Sequence, residues 1–89
     1  MSNIITFMNF KKLLNNKNIY LFDGHYRIAH YQLNNLINKS NNNQTGGSII
    51  DTSNILDKVN KLNSVRLLHF VNAIIANNKE KINWILLNT

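Results

Sequence analysis

From Val65 to Ala76 the chain places Leu67, Leu68, Phe70, Val71, Ile74 and Ile75 in the pattern of a helix that is apolar over about half its circumference. Arg66, His69 and Asn72 take the remaining polar side. A helix apolar over so wide a face persists only where neighbouring elements cover it. The rest of the chain must therefore supply packing partners rather than an independent unit. With 89 residues the chain makes one domain, 1–89. At that size folding buries about 60–65% of the unfolded surface, enough for one core and little more.

Those partners are legible as further helical patterns. Over 4–16, Phe7, Phe10 and Leu14 recur on one side with Leu13 beside them, while Asn9, Lys11 and Lys12 turn away. Ser2 or Asn3 is the expected cap. From Asp51, with Thr52 or Ser53 as cap, Ile55, Leu56, Val59 and Leu62 face inward, opposite Asp57, Lys58, Asn60 and Lys61. Asn63-Ser64 interrupts that pattern and recaps the helix that follows. A last helix over Lys79–Leu87 points Ile82, Ile85 and Leu86 one way, and Trp84 with Leu87 the other. Three segments end in apolar residues followed by Asn and Lys: 13–17, 36–39 and 74–79. Asn suits a left-handed helix terminus and Lys suits the helix dipole, so these read as helix ends. Residues 40–48, Ser-Asn-Asn-Asn-Gln-Thr-Gly-Gly-Ser, read as a polar, flexible loop.

One stretch supports two readings. Ile19-Tyr20-Leu21-Phe22 is strand-like, and Asp23-Gly24 is a hairpin signal that would set Leu21 against Tyr26 and Ile19 against Ile28. Alternatively, 25–38 is a helix with Tyr26, Ala29, Leu33, Leu36 and Ile37 on one face, His30 at its edge and Asp23 as cap. The helix accounts for more residues and is favoured. A lone strand at 19–22 would then need Ser48-Ile49-Ile50 as its partner. The expected fold is mainly α: a compact bundle of four to five short helices, with a short β-hairpin near 19–31 as the alternative.

Leu21-Phe-Asp-Gly-His-Tyr-Arg-Ile-Ala29 resembles the hydrophobic-x-Asp-Gly-His-x-Arg segment of the ParB N-terminal and sulfiredoxin-like superfamily. In that superfamily the helix start and its Arg grip nucleotide phosphates, which is sound anion chemistry. A strand-and-helix unit precedes the segment there, and the helical pattern of the residues before Leu21 leaves no room for one. No activity is carried over. The pairs Arg27…His30 and Arg66…His69 are similar in residue type to the Arg–His pairs of helical ribonucleases, but their spacing is shorter than the Arg-x4–6-His of the HEPN nucleases. Their phases differ too: His30 borders its helix's apolar face, whereas His69 lies opposite its own.

Other chemistry finds little to work with. The chain has no Cys, so thiolate zinc sites, disulfides and cysteine nucleophiles are excluded. Its acids, Asp23, Asp51, Asp57 and Glu80, are too dispersed to propose a carboxylate pair. His25 and His30, five apart, fall about 140° apart on a helix and suit no single metal. No catalytic residue, metal, cofactor or small-molecule substrate is expected. No apolar run approaches the ~20 residues of a membrane span, and the first residues lack the pattern of a secretory signal. A cytoplasmic protein is expected, in the host cytoplasm if the genome is viral.

The composition carries two further hints. Asn (19), Ile (12) and Lys (8) make up 39 of 89 positions, and Lys outnumbers Arg 8 to 2. These residues share A/T-rich codons, which points to an AT-rich virus, mobile element or low-GC bacterium. The formal charge of +6 invites nucleic acid, though the cations are spread along the chain. The leading reading is a small non-enzymatic interaction or regulatory protein that binds a protein partner or itself. Aromatic and apolar groups beside Arg on otherwise polar faces, Arg27, Ile28, Tyr31, Trp84 and Leu87, are the candidate contacts. The alternative is a basic nucleic-acid-binding or ribosome-associated protein using Lys11, Lys12, Lys58, Lys61 and Arg66. A small helical ribonuclease is a distant third.

Overall fold

The structure, a computed structural model, describes residues 5–41 and 54–89. Among them the elements are α1 (Phe7–Asn16), α2 (Asp23–Asn41), α3 (Ile55–Lys61), α4 (Ser64–Ile75) and α5 (Lys79–Leu87), with no strand. The fold is the expected small helical bundle, and its radius of gyration, 12.2 Å, is that of a compact globule. The widest apolar helix takes the central place: α4 packs against both α2 and α5, and α1 lies on α2. Leu67, Phe70, Val71, Ala73 and Ile74 of α4 are buried, while Leu68 and Ile75 at the edges of its apolar face are partly open. No helix of the described residues is long and apolar enough to cross a membrane.

The two readings of 19–31 resolve in favour of the helix, and the hairpin is not formed. The Phe22 carbonyl accepts hydrogen bonds from the N–H groups of His25 and Tyr26, so the helix starts at Asp23, which is its first residue rather than its cap. Residues 19–22 form an irregular linker, and the strand partner proposed for them, Ser48–Ile50, lies outside the described residues. The physical reason is burial. A two-stranded hairpin is marginal by itself, whereas the helix buries Tyr26, Ala29, Leu33 and Ile37 on a single face. Gly24 is therefore needed for no turn, and a Cβ added there meets nothing within 4 Å. Gly24→Ala is expected to raise stability by about 0.5–1 kcal/mol, read from the midpoint of urea unfolding. A loss would show that Gly24 serves the backbone in a way this helix does not require.

Helix ends divide the asparagines into two groups. Asn18 (φ 63°) and Asn77 (φ 55°) are left-handed and close Schellman turns on α1 and α4. In the first, Ile19 N–H donates to Leu14 and Asn18 N–H to Asn15; in the second, Asn78 N–H donates to Ala73 and Asn77 N–H to Ile74. Asn78 then caps α5 through Lys81 N–H, and Asn63 caps α4 through Arg66 N–H. The third expected end, at Asn38-Lys39, does not occur, because α2 continues to Asn41. Asn stops a helix only where the chain must turn back, and there the chain runs on.

The expected starts of α1 and α3 are also corrected. α1 begins at Phe7 with Thr6 as cap, its Oγ1 accepting from Asn9 N–H. Ser2 and Asn3 lie outside the described residues. Ile5 is held from outside the helix: its N–H donates to Asn34 Oδ1, and its carbonyl accepts from Asn34 Nδ2 and from His30 Nε2 at 2.7 Å. For α3 the cap position belongs to Asn54, in a left-handed conformation and without a side-chain bond. Ser40 and Asn41, expected to open the 40–48 loop, belong to the last turn of α2, whose helical hydrogen bonding carries past Asn38; 42–48, Thr52 and Ser53 lie outside the described residues.

Candidate functional site

Two groups of outward side chains stand out, and different elements build them. On α2, Ile28 (45% exposed) and Tyr31 (66%) stand opposite the stripe of Tyr26, Ala29, Leu33 and Ile37. At the same helix's start Phe22, 80% exposed, meets the His25 ring at a tilt of 59°, with ring centroids 5.7 Å apart. Arg27, the cation expected beside them, turns toward α1. Its Nε donates to Asp23 at 2.7 Å, and its guanidinium lies 4.9 Å from the Phe7 ring centre. That hydrogen bond, with the guanidinium's charge behind it, holds the exposed Asp23 carboxyl below the ordinary carboxylate range. A carboxyl whose folded value is depressed keeps its ion pair above the unfolded value and loses it as the pH falls through the folded one.

The second group lies on α4 and α5. Trp84, half exposed, carries the Arg66 guanidinium 4.8 Å from its ring centre and the Lys81 ammonium at 5.8 Å. Glu80, Lys81, Asn78 and Trp84 line a shallow depression of about 360 Å³. Asn78 and Lys81 also belong to the adjoining groove of about 240 Å³, whose other walls are His69, Asn72, Ala73 and Ala76. The result is one continuous surface, from Arg66 through Trp84 and Lys81 to His69, where two cations, two amides, an indole and an imidazole stand beside one carboxylate and two alanines. Leu87 is exposed on the same helix.

The cations proposed for nucleic acid occupy several environments. Lys58 donates to the Leu86 carbonyl at the end of α5, 3.0 Å away, which satisfies a helix terminus. Lys11 lies over the rings of Phe7 and Tyr26. Lys12 and Lys61 are exposed on α1 and α3. Of these five, only Arg66 enters the α4–α5 surface. Lys81, His69, Asn72 and Asn78 were not singled out by sequence for this surface. Only the Lys81–Trp84 spacing, one helical turn, offered a signal for any of them. The two Arg–His pairs remain apart: Arg27 and His30 face α1, with His30 packed on Phe7 and Phe10, whereas His69 is exposed on α4. Among the described residues no group of three or more His, Asp or Glu is placed to hold a metal.

Compared with protein-family models, curated proteins and solved structures, the chain finds no match.

Proposed function

We propose that this chain is a small non-enzymatic interaction protein that binds a protein partner, or a second copy of itself, through the outward face of α2. The observation that carries this is the pair Ile28 and Tyr31, opposite the core stripe of a helix already packed on its other sides. Together with the Phe22–His25 pair they place three aromatic rings and a branched aliphatic group along about two and a half turns. The composition supports an origin in an AT-rich genome, where a regulatory role through such a contact fits a chain of this size.

Light scattering over a range of concentrations, with a nuclease-treated pull-down, tests this reading. Self-association or specific capture is expected, weakened about 10-fold or more by Tyr31→Ala with thermal unfolding unchanged, the size of effect a contact hot spot has. A strictly monomeric protein that retains no partner overturns it. A second reading, nucleic-acid binding, is favoured by the contacts of Trp84 with Arg66 and Lys81, on a different surface.

A further inference from the structure

We infer that the α4–α5 surface is a stacking site for single-stranded nucleic acid, with Trp84 receiving a base and Arg66 and Lys81 receiving the flanking phosphates. The inference rests on the second reading above and names its site and ligand class. Trp84 is half exposed although it belongs to a helix that buries Ile82, Ile85 and Leu86. The Arg66 guanidinium and the Lys81 ammonium both lie over its indole. A half-exposed indole with two long, movable cations over its ring has the parts that hold single strands, because every base has a π-face and every linkage a charge, and a strand that draws Arg66 and Lys81 onto its phosphates frees the ring for a base.

Charge complementarity selects the ligand. The chain carries +6, and among the described residues Glu80 is the only carboxylate lining this surface, against Arg66 and Lys81. An acidic peptide would satisfy the cations and leave the indole without a partner. A nucleotide uses both. The adjoining groove adds an imidazole and two amides, His69, Asn72 and Asn78, which offer donors and acceptors to base edges or sugar hydroxyls. A duplex hides its bases in the stack, so the geometry favours a single strand.

Trp84 is the sole tryptophan, so its fluorescence reports this site alone. Titration with oligo-dT and oligo-rU of about 10 nucleotides, near the footprint of known single-strand sites, is expected to quench it. Trp84→Ala, followed with labelled oligonucleotide, is expected to weaken binding about 5- to 160-fold, and Trp84→Phe much less. With the two phosphates of Arg66 and Lys81 engaged, affinity should fall about 7-fold between 50 and 200 mM salt, and Arg66→Gln with Lys81→Gln should flatten that dependence. Binding that neither quenches Trp84 nor changes in Trp84→Ala overturns this site while leaving nucleic-acid binding in place. Undetectable binding at low salt overturns both. Equal quenching by duplex DNA or polyglutamate overturns the ligand assignment, and quenching in the Arg66→Gln, Lys81→Gln variant with its salt dependence unchanged overturns the role of the two cations.

Discussion

Phe70→Ala is expected to cost about 3–5 kcal/mol of stability. Phe70 lies in the middle of α4, the helix that packs against both α2 and α5, and it is 1% exposed. Leu67, Val71 and Ile74 of its own helix are equally enclosed, as are Phe10, Leu33, Ile85 and Leu86 elsewhere in the core. A ring removed from such surroundings leaves a void that neighbours already in place fill only in part, so the cavity adds to the lost transfer free energy. Domains of this length hold about 4–13 kcal/mol in all, so the variant stands at the edge of folding. Urea unfolding followed by far-UV circular dichroism measures the loss. A cost below about 1.5 kcal/mol would mean that α4 is not the centre of the core.

Lys17→Met is expected to cost about 1.5–3 kcal/mol, far more than a surface lysine usually does. The half-buried Lys17 ammonium donates to the carbonyls of Asn60, at 2.7 Å, and Leu62, where α3 ends and α4 has not begun. In return the Ser64 hydroxyl, on the first residue of α4, donates to the Lys17 carbonyl at 2.9 Å. The end of α1 is thereby clasped to the α3–α4 junction, joining the two described stretches of chain. Methionine keeps the apolar stem and loses the charge, leaving two carbonyls of a helix terminus short of a donor. Ser64→Ala, which removes one neutral bond, is expected to cost about 0.5–1.5 kcal/mol by the same measurement. Near-equal effects of the two variants would show that the charge adds nothing at this junction.

Legibility in the sequence followed the range of each interaction. Lys79–Leu87 reads as a helix with Ile82, Ile85 and Leu86 inward because that face is a property of nine consecutive residues, and it is observed so. Asn63 as a recapping residue is equally local, its side chain reaching Arg66 N–H three residues on. The clasp from Lys17 to Asn60 and Leu62 left no such trace, since its partners are more than forty residues away. Likewise, the sequence reads Lys58 as a surface cation, because its partner, the Leu86 carbonyl at the end of α5, lies twenty-eight residues away. In the α4–α5 surface the Lys81–Trp84 pair was readable as one helical turn, and Arg66 beside the same indole was not.

The pattern of apolar residues by itself determined that this chain is a helical bundle and which face of most helices turns inward, because a period of 3.6 is written in neighbouring residues. Only the tertiary structure decided between helix and hairpin after Asp23, since the burial of Tyr26, Ala29, Leu33 and Ile37 outweighs what the Asp-Gly pair prefers locally. It also decided which asparagines end helices: Asn18 and Asn77 sit where the chain must turn back, and Asn38 does not. The partners of Lys17, Lys58 and Arg66 belong to the same class of decision, because packing alone brings a cation to a carbonyl or a ring on another helix.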